Sequence, residues 1–190
     1  MHFPRPQQGD ALVIVDLQND FLPGGALAVG DGDAVIEPLN RAIAAFRQAG
    51  LPVFATRDWH TPDHCSFQPQ GGIWPPHCVA DSAGAAFAPA LHLAGATVVS
   101  KAVTSAEDAY SGFQGTTLAA QLREGGVRRV FVGGLATDYC VLNTVLDALK
   151  QGFEVVLLED AMRAVDVQAG DGDKAIAQMR AAGAGAASVA

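Results

Sequence analysis

Five short apolar runs recur along the chain: ALVIVD (11–16), PVFAT (52–56), TVVS (97–100), RVFVGG (129–134) and EVVLLE (154–159). They are rich in β-branched residues and do not alternate with polar ones. Strands of that kind are buried on both faces, as in a parallel sheet covered by helices. Between them the spacing changes to 3.6. Residues 33–50 place Val35, Ile36, Leu39, Ile43 and Phe46 on one face and end on Gly50, which suits a C-cap. Residues 116–126, 140–152 and 172–183 repeat the pattern. Strand and helix alternating at this rhythm predict an α/β fold: a three-layer, doubly wound, mainly parallel sheet with flanking helices, Rossmann-like in plan. The tail GAGAASVA has room for a short final strand. No linker, repeat or charge block divides residues 1–190, so one domain is expected. The long stretch without periodicity is 57–90, and long irregular loops in compact domains are usually functional.

Composition narrows the function classes. Of 190 residues, 49% are hydrophobic and 17% charged, which excludes a globally disordered chain. A formal charge of −8 with no basic run argues against nucleic acid as a partner. No apolar stretch is long enough to span a bilayer, and MHFPRPQQGD lacks a signal-peptide core, so a cytoplasmic protein is expected. Three cysteines (Cys65, Cys78, Cys140) do not make a disulfide framework. The oligomeric state is left open, a homo-oligomer included.

In an open parallel sheet, ligands bind at the carboxyl ends of the strands. Unusual residues cluster there. Asp16 ends the first run, where partial desolvation would raise its pKa towards that of a useful base; the plain alternative is a turn cap. Lys101 follows the third run, and lysine is rarely buried without a partner. Cys140 follows paired glycines and a polar turn, at the start of a helical pattern. A helix N-terminus lowers a thiol pKa and can bind an oxyanion, which suits a nucleophile; most free cysteines are instead core filler.

A third group lies in RDWHTPDHCSF and WPPHC. Asp58 and His60, two apart, can converge on one ion if the strand end bends, and His77 can complete the set. One carboxylate and two imidazoles with open positions suit a divalent metal: Zn²⁺, Fe²⁺ or Mn²⁺. His64 and Ser66 are candidates for a further contact, whereas His2 and His92 fall in no such pattern. Phe21, Trp59, Phe67 and Trp74 surround the region and could clamp a flat ring or simply build core.

DLQNDF, TRDWHTPDHCSF, WPPHC, DAYSGF and GLATDYCV, in this order across residues 11–160, resemble the motifs of the nicotinamidases (pyrazinamidases), which are isochorismatase-like cysteine hydrolases. The resemblance implies an isochorismatase-like fold and deamidation of nicotinamide to nicotinate and ammonia, a step of NAD salvage, with pyrazinamide as a second substrate. It implies Asp16, Lys101 and Cys140 as catalytic residues, one divalent metal (zinc foremost) on Asp58, His60 and His77, and Phe21, Trp74 and Tyr110 around the substrate ring. It also implies a cis peptide at Leu135–Ala136 and an oxyanion hole made by the N–H groups of Ala136 and Cys140. Two alternatives remain at this level. One is another hydrolase of the superfamily, acting on a different small amide or a vinyl ether. The other is a non-catalytic, metal-stabilised ligand-binding module.

Overall fold

The computed structural model describes residues 3–189, so His2 lies outside the described residues. Six strands form one sheet: β1 (Asp10–Val15), β2 (Val53–Asp58), β3 (Thr97–Lys101), β4 (Arg129–Leu135), β5 (Glu154–Arg163) and β6 (Gly185–Ala187). All neighbours run parallel, in the order β3-β2-β1-β4-β5-β6. The unbroken apolar character of β1 follows from its central place: every residue of the strand is buried. The bland tail does supply the last strand, β6.

Two apolar clusters mark the two faces of the sheet. Leu12 and Ile14 of β1 pack with Leu39, Ile43 and Phe46 of α1 (Ile36–Gln48). Ala11, Val13 and Val15 point the other way. They join Leu118 and Leu122 of α2 (Leu118–Glu124), Val145 of α3 (Leu142–Lys150) and Met179 of α4 (Asp171–Ala181). The α1 face therefore carries a single long helix. The remainder of its cover comes from the irregular segment after β2, which contributes Ala85, Ala88 and Leu91 to the same cluster. The long aperiodic stretch is thus a packed part of a layer as well as a loop.

Of the strands, β5 runs furthest past its sequence limits. Strand β5 runs past Glu159 to Arg163, because its pairing with β4 is interrupted: Val132 pairs with Leu157 but Gly134 pairs with Met162. Gly134 has φ +126°, and a Cβ built there would collide with the Val15 backbone. Only glycine lets β4 press this closely against β1. That seam is where the strand order reverses, between β1 and β4, and a ligand crevice is expected beside it.

Candidate active site

The strand ends deliver four charged or reactive groups to one point. Asp16 is the first residue beyond β1, held in the left-handed region at φ +48°. Asp58 and Lys101 close β2 and β3 and are paired in register, so their side chains stand side by side. Cys140 arrives from the other side of the seam, in a single π-helical turn (Thr137–Val141) that precedes α3. It does not open the α-helix, as the sequence pattern suggested, but sits inside the turn that leads into it. All four residues are buried.

Lys101 Nζ lies at their centre. It donates to Asp58 Oδ1 (2.5 Å), the Ala109 carbonyl (2.9 Å) and Cys140 Sγ (3.6 Å). Asp16 Oδ2 is 2.9 Å from the same ammonium, but out of line for a hydrogen bond. Thr56 Oγ1 donates to the other Asp16 oxygen at 2.7 Å. Asp16 Oδ2 is therefore a buried acceptor with an unused lone pair, and ligating atoms of Asp16, Asp58 and Cys140 all lie within 4.8 Å of one another.

Burial and charge divide the protons among these groups. Burial pushes the Asp16 carboxyl up, Lys101 opposes it, and Asp58 adds to the rise. Asp58 is also pushed up by burial, but Lys101 and His60 outweigh this and hold it well below the usual carboxylate range. Lys101 stays charged despite its burial, because two carboxylates face it. The Cys140 thiol is pushed well up by burial; Lys101 opposes, but Asp16 and Asp58 add to the rise. The sequence reading expected a helix N-terminus to lower this pKa. Two neighbouring carboxylates and full burial reverse that expectation, so the resting group is a thiol beside a carboxylate able to take its proton.

Asp58, His60 and His77 form a second cluster, with ligating atoms within 4.8 Å of one another and all three residues buried. The donor set fits a divalent metal. His77 Nδ1 lies 2.8 Å from the Pro75 carbonyl and His60 Nδ1 lies 3.2 Å from the Ala102 carbonyl, contacts that require Nδ1–H and leave each Nε2 lone pair free to ligate. His60 Nε2 stands 3.7 Å from Asp58 Oδ2. Burial lowers the pKa of His77 and keeps its ring neutral, as a metal ligand must be. His64 stacks on His60 with ring centroids 4.0 Å apart, but both its nitrogens are engaged, with Ser66 Oγ at 2.8 Å and the Glu107 carbonyl at 3.1 Å. Its arrangement is that of a brace, while Ser66 lines the cavity.

A half-open pocket lies above both clusters. Cys140 and Ala136 line one wall, and Asp58, His60 and His77 line another. Phe21 packs beside His77, with centroids 5.6 Å apart. Trp74 Nε1 donates to Tyr110 Oη at 3.0 Å, and both rings pack against Tyr139. The Leu135–Ala136 peptide is cis. The site residues read from the sequence thus all border one cavity or the charged floor beneath it.

An isochorismatase domain model matches residues 10–190. The chain is 42% identical to the nicotinamidase of Escherichia coli (strain K12) over 196 residues, covering 92% of each. Its structure is similar to that of the pyrazinamidase of Pyrococcus horikoshii in complex with zinc, with TM-score 0.91 and 46% identity over 95% of this chain and 99% of that one. It is equally similar to PnC1 from L. infantum in complex with nicotinate, with TM-score 0.91 and 41% identity over 99% and 96%.

The chain belongs to the isochorismatase family.

Several residues of this isochorismatase-family site escaped the sequence reading. Tyr139 lies next to Cys140 in the sequence but gave no signal beyond being aromatic. Asp138 carries the π turn in another way: its two oxygens accept the Val165 and Asp166 N–H groups at 2.9 Å each, tying Cys140's turn to the loop before α4. Gln18 is fully buried, yet an uncharged amide in a turn sequence stands out in no pattern. Asp20 braces the loop after β1, accepting the Cys78 N–H at 2.7 Å. Cys78 is buried and its thiol is pushed far up by burial, which leaves it inert.

Proposed function

We propose that the chain is a cysteine amidohydrolase that converts nicotinamide to nicotinate and ammonia, in NAD salvage, and also hydrolyses pyrazinamide. The observation that carries this reading is the placing of Cys140, Asp16 Oδ2 and Lys101 at and beneath a pocket lined by Phe21, Trp74 and Tyr110. Family membership and the named relatives support it.

Amides are poor electrophiles, so the thiol must be activated and the tetrahedral oxyanion stabilised. Asp16 Oδ2 takes the Cys140 proton as sulfur attacks the carboxamide carbon. Lys101 keeps the buried charge balanced while the negative charge moves from carboxylate to sulfur and then to oxygen. The N–H groups of Ala136 and Cys140 receive the oxyanion; one such donor is typically worth ~3 kcal/mol. Asp16 then returns the proton to nitrogen, the C–N bond breaks and ammonia leaves, with a thioester on Cys140. Water attacks that thioester, giving its proton to Asp16 and then to the departing sulfur, and nicotinate is released with the thiol restored.

Phe21, Trp74 and Tyr110 hold the ring, and Tyr110 is fixed by its bond to Trp74. Asp58, His60 and His77 would hold a divalent ion, zinc being our assignment, and that ion would supply a Lewis acid for the ring nitrogen, so that these residues would help to orient the carboxamide towards Cys140. A pure binding module has no use for a thiol paired with a buried base, which disfavours the non-catalytic alternative. The test is ammonia release from nicotinamide, pyrazinamide and a few aliphatic amides. Turnover confined to the aromatic carboxamides supports the reading; preference for an aliphatic amide refutes it.

A further inference from the structure

Gln18 occupies an unusual place between two strands. The ladder between β1 and β2 has its last register pair at Ile14 and Ala55, and the Asp16 N–H still reaches the Thr56 carbonyl at 3.2 Å. Beyond that the backbone of the first strand turns away, and Gln18 instead forms an antiparallel bridge with Phe87. Its side chain turns back towards β2. Gln18 Oε1 accepts the Asp58 N–H at 2.8 Å, and Nε2 donates to the Asp58 carbonyl at 2.8 Å and to the Ala85 carbonyl at 2.9 Å. The primary amide thus replaces the missing peptide group of β1, adding one rung to the sheet opposite Asp58. On its other side, Asp58 is in register with Lys101, and the Trp59 N–H donates to the Lys101 carbonyl at 3.1 Å.

We infer that Gln18 is the positioning residue of the metal centre: its amide clamps the Asp58 backbone and so fixes the carboxylate between the imidazoles and Lys101. The inference rests on the reading of Asp58, His60 and His77 as metal ligands. Three features single out this contact. The side chain is fully buried, its one oxygen and both N–H groups are used, and two of its three bonds go to the backbone of a single residue. The third bond, to Ala85, joins that residue to the segment that brings His77 to the cluster. Outer-shell groups that orient a ligand typically change metal affinity by about 10- to 100-fold when removed. No other amide side chain bonds the backbone of Asp58, His60 or His77 among the described residues.

Two variants test it. Gln18→Glu keeps the shape and the acceptor but loses the two N–H donors; Gln18→Leu loses all three bonds. Zinc affinity is measured by competition with a chromogenic chelator, alongside the melting temperature and circular dichroism of the metal-free proteins. The expected result is zinc binding weakened by roughly 10- to 100-fold in metal-free protein that is still folded, with kcat on nicotinamide returning as zinc is raised to saturation. Zinc affinity equal to wild type in either folded variant overturns the inference. So does failure of both variants to fold, which would assign Gln18 to the fold at large. If the wild-type protein itself does not bind zinc, the metal reading fails first, and the two failures are thereby told apart.

Discussion

Lys101 Nζ lies 2.9 Å from Asp16 Oδ2, yet its hydrogen bonds go to Asp58, Ala109 and Cys140. The ammonium keeps Asp16 company without occupying it, which leaves the oxygen free to receive a proton from the neighbouring thiol. The charge is present and the lone pair is open, the combination a buried general base requires.

Replacing Asp16 by Asn keeps the shape and removes the base. We expect kcat for nicotinamide to fall by about 10²–10⁴-fold, the usual worth of a positioned general base, with binding of nicotinate little changed. A comparable loss of affinity with kcat retained would assign Asp16 to binding.

The pH profile follows from the same carboxylate. Burial raises its pKa; Lys101 and the Thr56 hydroxyl oppose, and Asp58 adds to the rise. Asp16 works only when ionised, so kcat/KM should climb with pH through a value above the ordinary aspartate pKa of about 4. An acid limb at or below that value in the metal-loaded enzyme would contradict the assignment of Asp16 as the base.

Lys101→Met removes the one cation from a pocket holding two buried carboxylates. The two negative charges are left uncompensated, and stability should drop by about 3–5 kcal/mol in denaturant unfolding. Asp16→Asn in the same background should restore part of it, because one of the carboxylates is then gone. Independent, additive effects would mean that Lys101 and Asp16 do not interact.

Chelation should weaken nicotinamide binding, and Asp58→Ala should reproduce the effect in calorimetric titration. The Asp58 change carries a second cost, since Lys101 loses its shortest hydrogen bond. Unchanged nicotinamide affinity in chelated protein would remove the ring-orienting role given to the metal.

Strands, helices and the edge of the sheet that carries the site were legible because they follow from burial. Strands covered on both faces lose their polar alternation, and charged residues at their carboxyl ends then stand out: Asp16, Asp58 and Lys101 were conspicuous for this reason. The rest was hidden where local contacts replace periodicity. The segment after β2 is held by side-chain-to-backbone bonds and one short 3₁₀ turn (Gln68–Gln70), whose residues show no repeat. The π turn at Cys140 shows no pattern that separates it from the first turn of an α-helix. The cysteine's surroundings were misread for a related reason. A helix terminus can be inferred from neighbours in sequence, but two carboxylates arriving from distant strands cannot, and they set the state of the thiol. Gln18 escaped because an amide that imitates a peptide group carries no charge and no period.

The most direct test of the covalent mechanism is ammonia release from nicotinamide by Cys140→Ala, with circular dichroism and zinc binding checked on the same sample. Removal of sulfur leaves Asp16, Lys101 and the metal ligands in place but no nucleophile. We predict a folded protein that binds zinc and releases no ammonia above the uncatalysed rate. Substantial turnover by that variant would contradict the mechanism.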